Sequence, residues 1–372
     1  MSTVPMILSR RLRKSPYEKR AIENGATQFT LYNKMTLPMV YESLEKSYEH
    51  LCKHVQLWDV ACQRQVEIVG PDALRLTELI TPRDISKCEV GQCMYAPLCD
   101  ENGGIINDPI ILRLAEDRFW LSIADSDVCL WAKGIAYGRG FDVKVFEPDV
   151  SPLAIQGPRA DDLMADVVGE HTRDIRFFWF IDATVVGTPV KIARSGWSGQ
   201  GGFEVYLQDS SRGDELWDLF WAAGQKYNVS PGAPNLIERL ETGLKSYGAD
   251  MTIDMNPFEA ALERYIDVDK AAEYMCRDVL VKVRDTGADR RLVNLFIDGE
   301  DLGPMRSDWP VLEEHGAKVG FVTSRAWSLK FGTNLAFAIV NSSHATPGTR
   351  ITVDADGDRR TAVVRTDKWA AA

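Results

Sequence analysis

The stretch Arg194–Leu207 gathers residue types that suit a flat, hydrogen-bonding ligand. It reads Arg-Ser-Gly-Trp-Ser-Gly-Gln-Gly-Gly-Phe-Glu-Val-Tyr-Leu and holds four glycines, Gly196, Gly199, Gly201 and Gly202. Glycine accepts positive φ and lets backbone come close to a ligand. Trp197 supplies an aromatic plane and Glu204 a carboxylate, a pair that fits a heterocycle with N–H donors. From pattern alone, a hairpin turn with one exposed tryptophan explains the stretch equally well.

The flanking elements must hold these groups. Val185 to Ala193 is an apolar run that reads as a strand, and Phe203–Leu207 alternates apolar and polar residues like a second one. Cys93–Cys99 and Ile105–Leu114 read as strands joined by Asp100-Glu-Asn-Gly-Gly104, where Asn-Gly is a strong turn signal. Further strands are expected at Leu57–Ala61, Gln65–Val69, Phe119–Ala124 and Val143–Phe146. Phe29–Asn33 and Leu37–Tyr41 are aromatic-rich and interrupted by Pro38. Helices are expected at Glu42–Val55, Ala73–Ile80, Val128–Gly140, Ala160–Val168, Leu216–Tyr227 and Ile237–Tyr247, the last carrying Glu238, Arg239, Glu241 and Lys245. Residues 1–20 are basic and read as an extended arm. Val66-Glu-Ile-Val-Gly-Pro-Asp72 and Ser151-Pro-Leu-Ala-Ile-Gln-Gly-Pro-Arg159 share one pattern: apolar strand, Gly-Pro, helix. They suggest an internal repeat of two α+β units. A boundary is expected near Val283–Arg291. After it, short strands at Leu292–Ile297, Val319–Ser324, Leu335–Val340, Arg350–Val353 and Thr361–Val364 predict a small β-barrel or sandwich.

Composition narrows the chemistry. The 372 residues fit two or three domains at about 150 residues each. The formal net charge of -11 argues against nucleic acid or an anionic membrane as the main partner. The seven cysteines are an odd number with no Cys-x-x-Cys spacing, which reads as free thiols in a reducing cytoplasm. Of the five histidines, only His50 and His54 share helical spacing, and no third ligand stands near, so no metal is expected. The N-terminus lacks the apolar core of a signal peptide, and no run of about 18 apolar residues predicts a membrane span, so a cytoplasmic location is expected. Gly-Gln-Gly-Gly lies between strands and opens no helix, which excludes a dinucleotide fingerprint.

Several stretches together resemble the folate-dependent aminomethyltransferase family founded by the T-protein of the glycine cleavage system. They are Asp59-Val-Ala61 with Gly70-Pro-Asp-Ala73, Tyr95 with Asn102-Gly-Gly-Ile-Ile-Asn-Asp108, and Leu153-Ala-Ile-Gln-Gly-Pro158. Arg194-Ser-Gly-Trp197 with Gly202-Phe-Glu204, Arg239-Leu-Glu-Thr-Gly243 and Pro257-Phe-Glu259 complete the set. The order and spacing run from about residue 20 to the C-terminus. Within the family the chain is most similar to the branch that demethylates dimethylsulfoniopropionate, on Gln63-Arg-Gln-Val-Glu67, Thr81-Pro-Arg-Asp84, Gly104-Ile-Ile-Asn-Asp-Pro109, Glu147-Pro-Asp-Val-Ser-Pro152, Arg194-Ser-Gly-Trp197 and Ser246-Tyr247.

The resemblance implies an α+β fold: a three-domain ring with a central folate channel and a C-terminal β-barrel. Residues 1–280 would form the folate- and substrate-binding region, two α+β units split roughly as 50–150 against 20–50 plus 150–280. Residues 285–372 would form the barrel. The implied reaction moves a methyl from the sulfonium to N5 of tetrahydrofolate, the co-substrate, giving methylmercaptopropionate and 5-methyltetrahydrofolate. Nothing in the sequence reports an oligomeric state.

Site roles follow by the same resemblance. The T-protein pattern has two consecutive acids where this chain has Asn107 and Asp108. The first acid is that family's catalytic carboxylate, so its replacement counts against aminomethyl transfer. A sulfonium leaves as a neutral thioether and needs mainly in-line positioning and dryness, with a side chain or a water as base for the N5 proton. Glu204 would hold the pterin, Tyr95 and Arg239 would contact folate, and Ile105 and Ile106 would line the slot. For Arg239 an ion pair on a helix surface with Glu238 or Glu241 remains open. A sulfonium has no donor, so aromatic faces should take it through cation–π attraction: Trp197 first, then Trp179, Phe178, Tyr32 and Tyr206. Its carboxylate needs a cation, for which Arg194, Arg64 and Lys34 are the candidates. Demethylation of a betaine, dimethylglycine or an aryl methyl ether, aminomethyl transfer, and folate binding without catalysis are the alternatives.

Overall fold

The computed structural model describes residues 9–365. Its contacts divide the chain into two compact units. One takes the chain to Gln65 together with Glu147–Gly196 and Gln200–Pro234; the other takes Val66–Phe146, Trp197–Gly199 and the chain from Asn235 onward.

The first unit is built on a six-stranded sheet. Its order is Phe180–Val185, Thr188–Ala193, Gly202–Leu207, Ser151–Gln156, Val55–Asp59 and Val229–Gly232. Val229–Gly232 runs parallel to Val55–Asp59, and the other printed pairings are antiparallel. One face buries Leu57, Leu153, Ile155, Phe203, Val205 and Leu207 against Leu163, Trp217 and Phe220 of two helices, Ala160–Val167 and Gly213–Gly224. Period-2 alternation therefore turns Glu204 and Tyr206 to the other face.

The second unit has a five-stranded sheet, ordered Lys144–Phe146, Gln65–Val69, Arg118–Ser122, Ile110–Ala115 and Cys93–Tyr95. Helices Ala73–Leu79 and Val128–Arg139 cover an apolar cluster that includes Val66, Ile68, Phe119 and Leu121. The same unit contains a closed barrel of the strands Arg290–Ile297, Thr333–Asn341, Lys318–Ser328, Pro310–Leu312, Arg350–Ala355 and Asp358–Arg365. Its interior holds Val293, Leu295, Val322, Ala336, Val353 and Val364.

The repeated strand–Gly-Pro–helix pattern has one physical cause in both places. Gly70 has φ +139 and a Cβ there would stand 2.5 Å from the Asp142 carbonyl; Gly157 has φ +120 and a Cβ would stand 2.3 Å from the His54 carbonyl. Each sharp strand-to-helix turn presses backbone on backbone and excludes a side chain.

Several expectations need correction. The run Val185–Ala193 is not one strand: Val186 (φ 48) and Gly187 (φ 72) turn it back as a two-residue hairpin. Pro38 does not interrupt its segment but pairs with Phe29 in a hairpin turned by Asn33 and Lys34, both at positive φ. The helix expected to Tyr247 covers only Leu236–Thr242, because Gly243 at φ 77 closes it. The boundary near Val283–Arg291 is partly helical, with Arg277–Thr286 running into it. A sixth barrel strand, Pro310–Leu312, escaped the pattern because it opens on a proline and spans three residues. Of the expected basic arm, residues 1–8 lie outside the described residues, while Glu18–Glu23 is a helix and Tyr17 is buried.

Candidate functional site

In the first unit the glycine loop is shaped from beneath by Gln156. A Cβ on Gly196 would stand 2.2 Å from the Gln156 amide, and one on Gly202 would stand 2.3 Å from the Ile155 carbonyl and 2.8 Å from the same amide. The amide donates to the carbonyls of Ser195 and Phe203, each at 3.3 Å. These two glycines therefore serve close packing within the chain. Gly201, with nothing within 4 Å of an added Cβ, faces open space.

Glu204 stands between two alanines, Ala154 and Ala193, on the neighbouring strands. It is buried, and burial pushes its carboxyl above the ordinary range. Ser195 and Tyr206 both donate to its Oε2, Tyr206 at 3.3 Å. No hydrogen bond from a described residue reaches Oε1. A buried acid with a half-used carboxylate and alanines as its cross-strand neighbours fits the edge of a pterin, whose N–H donors would complete its bonding.

Near the same loop, Phe178 N–H donates to the Arg194 carbonyl and Arg194 N–H to the Trp179 carbonyl, each at 2.9 Å. The structure thus brings Phe178, Trp179 and Arg194 together. Two of them are already engaged: the Arg176 guanidinium lies 3.8 Å from the Trp179 ring centroid, and Arg194 is ion-paired with Asp161. Tyr206 is fully buried. Tyr32 packs against the core of this unit at the end of its hairpin. Arg64 shares Glu147 with Arg13, and Lys34 is an exposed turn residue.

In the second unit Asp108 follows the strand Ile105–Asn107. Burial raises its carboxyl to about 7, with a further push from the Asp250 charge, while a hydrogen bond from the Tyr95 hydroxyl at 3.1 Å opposes the rise. Tyr95 itself stands edge-on to Tyr265, ring centroids 4.6 Å apart, and its hydroxyl is raised by burial and by Asp108. Asn107 is wholly buried and turned toward backbone. Its Nδ2 donates to the Ala124 carbonyl (3.0 Å) and Ser126 Oγ (2.8 Å), and its Oδ1 accepts from the N–H groups of Asp108 (3.0 Å) and Ala124 (2.9 Å). A carboxylate could not make the two donations. Ile105 is buried and Ile106 partly so, against the apolar cluster of this unit.

Arg239 is not on a helix surface. It is buried and ion-paired with Asp250, and it donates to Ser324 Oγ at 2.6 Å and the Leu244 carbonyl at 3.2 Å. Its guanidinium lies 5.7 Å from the ring centroid of Trp197, the loop residue that belongs to this unit. Asp250 and Ser324 escaped the sequence reading because their partners lie 11 and 85 residues from them in the chain. Ser195 and Gln156 lay inside quoted motifs, but nothing local announced their bonding. Among the described residues no group of three or more His, Cys, Asp or Glu could hold a metal, and no helix is long and apolar enough to cross a membrane.

This arrangement stands on a recognisable frame. Residues 17–270 match the family model described as the GCVT N-terminal domain, and residues 290–369 match the glycine cleavage T-protein C-terminal barrel domain. The chain belongs to the glycine cleavage T-protein family. Among its relatives, dimethylsulfoniopropionate demethylase DmdA of Ruegeria pomeroyi is 46% identical over 97% of this chain and 98% of its own. An aminomethyltransferase of Halalkalibacterium halodurans is 31% identical over 85% of this chain and 87% of its own. The crystal structure of glycine cleavage system aminomethyltransferase T from Bartonella henselae superposes with a TM-score of 0.86 at 26% identity, covering 95% of this chain and 97% of that one.

Proposed function

We propose that this chain is a tetrahydrofolate-dependent methyltransferase that demethylates dimethylsulfoniopropionate. The observation that carries the reading is the 46% identity, end to end, with a dimethylsulfoniopropionate demethylase. Asn107 supports it: its amide is spent on backbone groups and the Ser126 hydroxyl, at the position where the T-protein pattern has an acid.

The reaction forms one bond and breaks one. The N5 lone pair of tetrahydrofolate attacks a methyl carbon, the carbon–sulfur bond breaks, and sulfur keeps the electron pair as a neutral thioether. The N5 proton must then leave. Asp108, poised near neutrality, is the acceptor in this reading, directly or through one water. Asn107 fixes the Asp108 backbone, and Tyr95 orients its carboxylate. Glu204 holds the pterin edge through Oε1. Trp197 receives the sulfonium on its ring face, while Trp179, Phe178, Tyr32 and Tyr206 are secondary aromatic candidates. Ile105 and Ile106 exclude water, and Arg194 is the candidate for the substrate carboxylate.

The test is turnover. Purified protein is mixed with tetrahydrofolate and, in parallel, dimethylsulfoniopropionate, glycine betaine or dimethylglycine, and 5-methyltetrahydrofolate is followed by chromatography. Product from the sulfonium alone is expected. Product from an ammonium donor only would move the reading to a betaine or dimethylglycine demethylase. Folate binding without product from any donor would contradict catalysis.

A further inference from the structure

Trp197 has a fixed cation at its ring. The Arg239 guanidinium lies 5.7 Å from the Trp197 centroid and 5.7 Å from that of Phe337. An indole draws cations to its face, but a permanent positive charge beside the ring repels a second one arriving there. In a half-buried place that repulsion is weakly screened. A sulfonium site with an uncompensated arginine at its wall would work against its own substrate.

Asp250 removes that conflict. It is fully buried and ion-paired with Arg239. Both its oxygens are held. Oδ2 also accepts from the Ser246 N–H at 2.9 Å, and Oδ1 accepts from Ser324 Oγ at 2.6 Å and Thr323 Oγ1 at 2.7 Å. Arg239 is clamped in turn by Ser324 and the Leu244 carbonyl. The negative charge therefore stands at a fixed point beside the guanidinium. A buried hydroxyl or amide would hold the arginine's geometry with less effect on its field.

We propose that Asp250 is a positioning and specificity residue: by neutralising Arg239 beside Trp197, it lets the indole accept a cationic methyl donor and so favours the sulfonium over its neutral thioether product. The inference rests on the reading that Trp197 meets the substrate.

The two ligands share the propionate and differ by one methyl and the charge at sulfur, so the change in their affinity ratio from wild type to an isosteric variant isolates the charge. Calorimetric titration of the full chain with dimethylsulfoniopropionate and with methylmercaptopropionate gives that ratio. For Asp250→Asn the donor should bind about tenfold more weakly and the thioether less than about twofold more weakly. Equal losses for both ligands would mean Asp250 is only structural, and would overturn the proposal. Where Asp250→Asn does not fold, Arg239→Gln reads the same charge from the other side. The ratio should then rise in favour of the donor by about threefold or more, and an unchanged or lower ratio overturns the proposal. Trp197→Leu separates the two levels. If it leaves donor affinity intact, the substrate reading fails and the role of Asp250 falls with it. If it abolishes donor binding while Asp250→Asn shifts both ligands alike, only the role of Asp250 fails.

Discussion

Two carboxyls, the partly buried Asp108 and the buried Asp59, are each raised by desolvation to about 7, and they make opposite predictions. In the proposed reading Asp108 acts in the unprotonated form. As acceptor of the N5 proton it must be a carboxylate, so kcat/KM should rise with pH through about 7 and level above it. Asp108→Asn should lower kcat by about tenfold to a hundredfold and flatten that rise; a variant that keeps the wild-type pH profile would remove Asp108 from the chemistry. Asp59 lies in the first unit, where Ser15 Oγ and the Ala61 N–H both reach Oδ1 and no described residue reaches Oδ2. Its folded-state value lies above its ordinary 3.8, so the folded chain holds a proton that the unfolded chain releases. Its contribution is favourable below 3.8 and is lost as pH rises to about 7. Asp59→Asn should therefore stabilise the protein by on the order of 2 kcal/mol at pH 8 and by little near pH 4, measured by denaturant titration at both values. Equal effects at the two pH values would show that Asp59 does not titrate in this range.

At the scale of elements, the glycine loop was found for one reason and is built for another. Its composition pointed to ligand contact, and the strand after it placed Glu204 on the face opposite the core. The structure adds that Gly196 and Gly202 are demanded by Gln156 and the Ile155 carbonyl, which lie 40 and 47 residues earlier and leave no local mark. Gly202→Ala should cost about 3 kcal/mol, because a Cβ meets backbone at a φ of +144, whereas Gly201→Ala should cost about 1 kcal/mol for its φ alone. Similar losses in the two variants, by chemical denaturation, would show that close packing does not set this loop. Elements with a strong period were legible, such as the helices Val128–Arg139 and Ala160–Val167; the turn at Asn102-Gly103 was too, but each strand read beside it is two, Cys93–Tyr95 with Leu98–Cys99 and Ile105–Asn107 with Ile110–Ala115. The errors came where a single residue overrides a run, as Gly187 does within Val185–Ala193 and Gly243 does at the end of Leu236–Thr242. The alternative kept open for Arg239, a surface ion pair, fails for a related reason. That alternative took its partners from the same helix, Glu238 and Glu241, whereas the actual partner Asp250 comes after the helix has ended.

For the whole molecule, the family was legible because its motifs recur in order along nearly the full chain, and the two α+β sheets and the closed barrel follow from that. The substrate rests on fewer residues. In the proposed reading an intact methyl group moves by direct displacement, and Asn107 stands where the T-protein pattern has the acid used for aminomethyl transfer. A single-turnover experiment tests this most directly. Enzyme and tetrahydrofolate are mixed with dimethylsulfoniopropionate carrying two trideuteromethyl groups, and the folate product is read by mass spectrometry. The account predicts 5-methyltetrahydrofolate that retains all three deuterium atoms, with methylmercaptopropionate formed in equal amount. A methylene-folate product, or a methyl that has lost deuterium, would contradict it.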